Sequence, residues 1–209
     1  MALTPSTTTD KPALDKSEWV VREVDIKTAR KLVVEHHYAQ GASNTRVFIH
    51  GLFRKDDPET CWGVAWWLPP TVVAAKTVLP EDPHAVVNLS RLVLVPEAPR
   101  NAATFLLGKS TKLIRADGRY RALLTYADTA EGHTGGIYKA SNWTYVGETA
   151  PSPIWKDSEG RRVSPKAGHR GPRGGNRTRE EMVALGYAMV GKSVKHKYVL
   201  HLTPAPPGS

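Results

Sequence analysis

The segment LLTYADTAEGHTGGIYKASNWTYVGET, residues 123–149, has the most specific pattern in this chain. It begins as an apolar strand that ends at Tyr126 and Asp128, passes through a glycine-rich turn and opens a short helix that contains Tyr138. Strands that alternate with helices in this way build α/β sheets. Because ligands of open α/β sheets bind beyond the carboxyl ends of the strands, Asp128 is a candidate functional group. A cap of the turn is its alternative role.

A second strand-to-helix unit contains NLSRLVLVPEAPRN, residues 88–101. The start of the predicted helix presents unpaired backbone N–H groups beside Arg100, and such groups can hold a phosphate or pyrophosphate. Arg91 lies in the middle of the strand among leucines and valines. Since arginine is rarely buried without a partner, Arg91 is either a functional group or one half of a structural ion pair.

The rest of the chain continues the alternation of strands and helices. Predicted helices cover 26–36, 101–116, 134–141 and a segment from a capping box at Thr178 and Glu181 to Met189; predicted strands cover 46–54, 61–68, 86–95, 120–127, 143–147 and 196–202. This order predicts a mixed sheet that is covered by helices. A single domain is expected over 19–203, between an N-terminal lead-in without structure (1–18) and a flexible tail (204–209).

Positive charge is concentrated towards the C-terminus. The chain has 29 Lys and Arg against 20 Asp and Glu, a formal charge of +9, which indicates a polyanionic partner such as nucleic acid. The basic loop predicted over 156–178 owes its charge to segment 161–179, which is rich in arginine, glycine and proline and has no acidic residue. Arginine binds phosphate bidentately, so DNA contact is expected here, with a solvated linker as the alternative. The candidate DNA-binding residues are Arg161, Arg162, Lys166, Arg170, Arg173, Arg177 and Arg179.

Several other classes of protein are disfavoured. Cys61 is the only cysteine, which excludes a disulfide framework and a thiolate metal cluster and is compatible with a reducing cytoplasm. The N-terminal residues lack the apolar core of a signal peptide, and the longest apolar stretch, 63–75, is interrupted by two prolines. A membrane partner is therefore not expected. His36 and His37 diverge as helix neighbours, so no metal site is predicted, and a general acid or base role for one of them is the better alternative.

Trp66 and Trp67 are adjacent in a predicted strand. Successive side chains of a strand point to opposite faces, so one of the two tryptophans faces the core and the other is a candidate platform for stacking a DNA base. Core packing of both residues is the alternative.

Taken together, the strand and helix of 88–116 and the units that follow, which end in GGIYKASNWTYVG, resemble the GNAT acyltransferase superfamily. In that superfamily the strand-to-helix junction holds the pyrophosphate of coenzyme A, and a helix tyrosine, matched here by Tyr138, protonates the departing thiolate. HYA (37–39), NLSRLVLVPEAPRN and YADTAEGHTGGIYKASNWTYVG are similar, within the superfamily, to the Mom family of phage DNA-adenine modification proteins. The resemblance implies a single α/β domain in which helices cover both faces of a mixed, mostly antiparallel central sheet.

The resemblance also implies site residues. The catalytic positions correspond to His37, Arg91, Asp128 and Tyr138, and the donor-binding positions to Ser90, Arg100, Asn101 and Ala102. The expected cofactor is acetyl-CoA or a related acyl donor, although the junction, PRNAATF, differs from the QxxGxG/A pattern of typical GNAT proteins.

The implied reaction transfers a small acyl-derived, carbamoylmethyl-type group to the exocyclic amine of adenine in double-stranded DNA. It would protect phage DNA from restriction in the host cytoplasm. Because the amine is paired in the duplex, the adenine must leave the base stack. Asp128 would accept its N–H, Tyr138 would protonate the leaving group, and Arg91 and His37 would polarise or position the donor. The alternatives are an ordinary GNAT N-acetyltransferase that acts on a small amine or a protein lysine, and a non-catalytic DNA-binding protein on the same scaffold.

Overall fold

The computed structural model of the protein describes residues 11–37, 44–167 and 175–202. The strands in these ranges are β1 (Trp19–Glu23), β2 (Phe48–Arg54), β3 (Cys61–Leu68), β4 (Val86–Leu94), β5 (Ala122–Asp128), β6 (Thr144–Glu148), β7 (Ser152–Lys156), β8 (Arg162–Val163), β9 (Lys166–Ala167), β10 (Gly175–Asn176), β11 (Ala188–Ser193) and β12 (Lys195–His201). The α-helices are α1 (Ile26–His36), α2 (Val72–Lys76), α3 (Ala102–Asp117), α4 (Gly136–Ala140) and α5 (Arg179–Ala184). None of these helices has the length and apolar character needed to cross a membrane.

A seven-stranded sheet, in the order β1-β2-β3-β4-β5-β12-β6, forms the centre of the described structure. Neighbouring strands in it are antiparallel except β4 and β5, which are parallel and are joined through α3. A parallel pair needs such a crossover, because its second strand must start at the same end as its first. A smaller sheet, in the order β11-β7-β8, is built from the C-terminal part of the chain.

Alternation along the central strands provides both sides of the sheet with apolar residues. Trp67 packs in one cluster with Leu106 and other residues of α3, and α4 covers the same side. Its neighbour Trp66 packs on the opposite side with Val33 of α1, and α2 covers the continuation of that side over β4, β5 and β12. Helices therefore cover both faces of a mixed, mostly antiparallel sheet, which confirms the predicted fold class.

One buried polar cluster joins α3 to the sheet. The Ser110 Oγ accepts a hydrogen bond of 2.8 Å from Nε1 of Trp67 and lies 2.7 Å from Nδ1 of His50. Burial lowers the pKa of His50 to about 4, so the imidazole is uncharged at neutral pH. Because Ser110 accepts from Trp67, its own hydrogen is available to the uncharged Nδ1 of His50, and all three groups are satisfied.

The elements predicted between 26 and 148 are present with small shifts at their ends, but the last predicted helix is wrong in length. It ends at Ala184 instead of Met189, because Gly186 adopts a φ of +79°, a left-handed conformation that terminates helices. Residues Ala188–Ser193 then pair with β7 as strand β11. Part of the predicted basic loop also forms short strands, β8, β9 and β10, while residues 168–174 lie outside the described residues.

The prediction of an unstructured lead-in is wrong for residues 11–18. The N–H of Arg100 donates to the carbonyl oxygen of Pro12, and the N–H of Leu14 donates to the carbonyl oxygen of Arg100, both at 3.0 Å. Leu14 also packs against the core. This segment therefore lies along the connection between β4 and α3, and β1 follows at Trp19. Residues 1–10 and the tail from 203 onwards lie outside the described residues.

Candidate active site

The parallel strands β4 and β5 diverge at their carboxyl ends. They pair from Val86 with Ala122 as far as Leu89 with Thr125, beyond which β4 pairs only with β3 and β5 only with β12. A bulge shifts the β4 register at Ser90, the first residue beyond the paired part. Bulges often re-aim side chains next to active sites. The resulting fork, by which we mean the point where β4 and β5 separate, is the position at which α/β sheets bind ligands.

Tyr138 of α4 contacts the base of this fork. Its phenol lies beside the side chain of Thr125, whose hydroxyl donates to the carbonyl oxygen of Leu89 at 3.3 Å. The ring packs against Trp143 and Tyr198, with centroid distances of 5.7 and 5.3 Å. Burial raises the pKa of Tyr138 above its usual value. The fork therefore has a fixed phenol that keeps its proton at neutral pH.

The glycine-rich turn before α4 is required by the packing of Tyr198. Gly135 has a φ of +75°, and a Cβ added there would lie 2.3 Å from the hydroxyl oxygen of Tyr198. Tyr198 donates a hydrogen bond of 3.0 Å to the carbonyl oxygen of Thr134 in the same turn. Only glycine satisfies both the backbone angle and the close approach. The turn therefore positions the helix that carries Tyr138.

Arg91 and His37 come from distant parts of the chain and interact beside the fork. The Nη1 of Arg91 donates to the carbonyl oxygen and to Oγ of Ser90, at 2.7 and 3.2 Å. Burial is the main cause that lowers the pKa of His37 to about 4, and electrostatic interactions with Arg91 and His133 add to the effect. The structure thus places an uncharged imidazole near a guanidinium, as expected for two residues that orient a polar donor.

His133 is a candidate site residue that the sequence pattern did not single out. It lies in the turn between β5 and α4, where its N–H donates to the carbonyl oxygen of Asp128 at 3.3 Å. It is exposed, yet it is close enough to His37 to lower that pKa. No spacing rule connects two histidines so far apart in the chain, so only the tertiary fold shows their proximity.

Asp128 is enclosed by its own turn and by two cationic side chains. It is 2% exposed. Its Oδ1 accepts the N–H of Ala130 at 3.1 Å, and its Oδ2 lies 3.0 Å from Nη1 of Arg162 and 3.5 Å from Nζ of Lys195. The capping role that the sequence left open is therefore present. Both carboxylate oxygens are engaged in this arrangement.

Arg162 is the centre of this ion-pair cluster. Its Nη1 also donates to Oε1 of Glu131 at 2.8 Å. Although its partial burial acts in the opposite direction, the carboxylates of Glu131 and Asp128 raise the pKa of Arg162. In this arrangement β8 directs the side chain to the end of β5, and DNA binding by Arg162 stays a prediction. The sequence does not reveal the pair, since its members are 34 residues apart.

The other arginines of the basic region differ in their surroundings. Arg161 is exposed but pairs with Asp157 and Glu159, each at 2.8 Å. Arg179 is exposed at the start of α5, and Arg177 is partly buried. DNA binding by these three residues stays a prediction. Arg170, Arg173 and the side chain of Lys166 lie outside the described residues.

The prediction of a base-stacking tryptophan is wrong. Trp66 is 1% exposed and Trp67 is 0% exposed. Their ring N–H groups are satisfied inside the protein, by the carbonyl oxygen of Thr45 at 3.1 Å and by Ser110 at 2.8 Å. The physical reason is that helices cover both faces of the sheet, so both faces of β3 are core.

The connection between β4 and α3 does not fit the pyrophosphate of coenzyme A. The N–H of Arg100 donates to Pro12 and that of Ala102 donates to the carbonyl oxygen of Pro99, so neither is free for a phosphate. Asn101, with a φ of +68°, makes no side-chain cap, and Ala102 is buried. No glycine in PRNAATF allows a phosphate to approach the backbone closely. We therefore assign no step of the reaction to coenzyme A.

Over residues 11–37, 44–167 and 175–202, no three His, Cys, Asp or Glu side chains are arranged to hold a metal ion. Cys61 is buried in the core on the α1 side, and burial raises the pKa of its thiol.

Solved structures that share this architecture are N-acetyltransferases. The ribosomal-protein-S18-alanine N-acetyltransferase from Escherichia coli is 9% identical, with a TM-score of 0.51 over 91% of this chain and 98% of its own. An N-acetyltransferase from Staphylococcus aureus is 12% identical, with a TM-score of 0.51 over 88% and 99%. Spermidine N-acetyltransferase from Vibrio cholerae, solved in complex with CoA and spermine, is 6% identical, with a TM-score of 0.50 over 90% and 97%. The chain therefore has the GNAT acyltransferase fold.

The sequence identifies the family of the chain within that fold. It matches the Mom protein family over residues 18–206, and the chain belongs to that family. No curated protein matches it. Family and fold together support an enzyme of the acyltransferase type.

Proposed function

We propose that this protein modifies DNA by attaching a small acyl-derived, carbamoylmethyl-type group to the exocyclic amine of adenine. The observation that carries the proposal is the Mom family match over residues 18–206. The fork with Tyr138 at its base supports it, because a transfer reaction needs a proton donor at the point where a ligand can enter the sheet. The modification would protect phage DNA from restriction in the host cytoplasm.

The substrate chemistry requires an adenine outside the base stack. The lone pair of the exocyclic amine is delocalised into the ring, and the amine is hydrogen-bonded in a duplex. An enzyme must therefore extrude the base before the amine can attack a donor. The formal charge of +9, and the arginines of 161–179 in particular, support binding of the DNA backbone during that step.

Four residues have roles in the proposed mechanism. The adenine nitrogen forms a bond to the CH₂ carbon of the donor while the bond from that carbon to the leaving group breaks; Arg91 holds the neighbouring carbonyl oxygen of the donor, and His37, uncharged at neutral pH, orients the same group. Asp128 accepts the N–H of the attacking amine, and Tyr138 donates its proton to the leaving group. Of these groups, Tyr138 and Arg91 are already at the fork, whereas Asp128 is covered by Arg162.

The donor is proposed as a chemical class, a small acyl-derived compound whose leaving group is on the CH₂ carbon, because attack on a thioester carbonyl would give an amide instead of a carbamoylmethyl amine. Since the β4–α3 connection does not fit a pyrophosphate, the donor must be held at the fork itself, where Ser90 and Arg91 supply polar groups.

Restriction sensitivity tests the proposal in cells. Plasmid DNA from cells that express the protein is freed of protein and digested with an endonuclease whose site contains adenine; resistance is expected. Tyr138→Phe should restore cutting. The matched control is Tyr120→Phe, which removes a phenol next to the opposite end of β5 and should preserve resistance. Complete cutting at good expression of the unmodified chain would contradict the proposal.

Digestion both before and after removal of the protein separates the alternatives. A non-catalytic DNA-binding protein would protect only while bound, so its protection would disappear when protein is removed. An ordinary N-acetyltransferase would leave the DNA sensitive throughout.

A further inference from the structure

Asp128 cannot meet a substrate while its present contacts are in place. The residue is 2% exposed, and each carboxylate oxygen has a partner within the protein. A group without accessible surface cannot accept a hydrogen bond from an incoming adenine. At least one partner must leave before Asp128 can act as proposed.

The three partners of Asp128 differ in how they are held. Ala130 belongs to the turn that follows Asp128, and Lys195 lies opposite Asp128 in the β12–β5 register. Ala130 donates from the backbone of that turn, and the backbone of Lys195 is fixed in the main sheet. Arg162 instead comes from β8, a two-residue strand that pairs only with β7 at the margin of the small sheet. Arg162 is therefore the partner that can be released with the least disruption of the core.

Arg162 also lies at the start of the region with the greatest positive charge. Segment 161–179 contains six arginines and one lysine and no acidic residue. A DNA backbone bound at the neighbouring, exposed Arg161 would bring phosphates close to Arg162, whose side chain is 31% exposed. A phosphate can bind a guanidinium through two parallel hydrogen bonds, whereas both carboxylate contacts of Arg162 use Nη1 alone.

We propose that Arg162 is a latch on Asp128 that a DNA phosphate releases. The inference rests on the proposed function. Without DNA, Arg162 bridges Asp128 and Glu131 and covers the carboxylate. When the backbone binds, the guanidinium transfers to a phosphate, and Oδ2 of Asp128 becomes available to the N–H of the extruded adenine. The carboxylate is thus uncovered only when the correct polymer is present.

The salt dependence of DNA binding tests the transfer of Arg162. The affinity of the full chain for a 16-base-pair, adenine-containing duplex is measured by fluorescence anisotropy over a range of salt concentrations. Because each phosphate contact releases counterions, Arg162→Ala should weaken binding and reduce the log–log slope by about 0.9. The matched control is Arg54→Ala, which removes an arginine from another exposed ion pair, that with Asp56, and should leave the slope unchanged.

A double-mutant cycle tests whether Asp128 restrains Arg162. Asp128→Asn removes the buried charge that holds the guanidinium, so it should tighten duplex binding roughly two- to fivefold, as expected for a partly exposed ion pair. In the Arg162→Ala background the same substitution should give no gain. Asp56→Asn removes one negative charge elsewhere and should give the same small effect in both backgrounds.

Three results would overturn the latch. These are an unchanged salt slope for Arg162→Ala, an equal gain from Asp128→Asn with and without Arg162, and no duplex binding by the full chain. Circular dichroism of each variant, together with Arg162→Lys, which keeps a phosphate contact, separates these results from unfolding. The chemistry is measured independently on nucleosides, so failure of the latch and failure of the proposed reaction give different results.

Discussion

Mild acid should destabilise this fold through His50. The His50 imidazole is 2% exposed, and its Nδ1 lies against Ser110. Solvent therefore cannot stabilise the positive charge of a doubly protonated ring. Burial lowers the pKa of His50 from 6.5 to about 4 in the folded chain. In the unfolded chain the pKa returns to the ordinary value. The unfolded state therefore binds a proton first as the pH falls.

The magnitude follows from these two pKa values. Above pH 6.5 His50 is mostly unprotonated in both the folded and the unfolded state, and the full stability is present. Between pH 6.5 and 4 His50 binds a proton in the unfolded state but not in the folded state. At pH 5 this difference should lower the free energy of unfolding by about 2 kcal/mol relative to pH 7.5.

Urea unfolding at pH 7.5 and 5.0 measures the effect. His50→Gln keeps a polar side chain that does not titrate, so it should lose about 2 kcal/mol less than the unsubstituted chain on acidification. His201→Gln, which removes an exposed imidazole at the end of β12, is the control and should behave like the unsubstituted chain. Equal losses for His50→Gln and the unsubstituted chain would refute the argument from burial.

Three further predictions concern the core and the site. Ser110→Ala leaves the ring nitrogens of Trp67 and His50 without a partner in the core and should lower the free energy of unfolding by about 2–4 kcal/mol; a loss within error in urea unfolding would contradict the polar cluster. Tyr138→Phe removes the proton donor and keeps the packing, so DNA modification should fall on the order of 100-fold or more while the melting temperature changes little. An unchanged extent of modification would remove Tyr138 from the mechanism. Calorimetric titration of the full chain with coenzyme A should give a dissociation constant no tighter than about 1 mM, and micromolar binding would contradict the account of the β4–α3 connection.

Local patterns in the sequence predict most of the main sheet and its helices, because each depends on neighbouring residues. Asp25 before an apolar helical face predicts α1, and the side chain of Asp25 does cap it. The apolar run of 61–68 and the partly alternating apolar residues of 86–95 predict β3 and β4, again from neighbouring residues. Sequence patterns did not predict β7 and β11, because these strands carry no strong alternation. They pair with each other in the small sheet, outside the main one.

Only part of the candidate site can be predicted from local sequence patterns. Tyr138 and Asp128 are recognisable, because the strand end and the glycine-rich turn are local features of 123–149. The contacts of Asp128 with Arg162 and Lys195 join separate parts of the chain, and no periodicity predicts them. The wrong prediction that Trp66 or Trp67 stacks on a DNA base has the same cause, since it also relied on a local pattern. Alternation shows that they face opposite sides of a strand, but only the arrangement of the helices shows that both sides are buried.

The central claim, transfer of a group to the amine of adenine in DNA, is tested most directly by mass spectrometry of nucleosides. DNA from cells that express the protein is digested to nucleosides and compared with DNA from cells that carry an empty vector. We expect a deoxyadenosine of increased mass that disappears with Asp128→Asn and with Tyr138→Phe. Deoxyadenosine of unchanged mass, at good expression of the unsubstituted chain, would contradict the account.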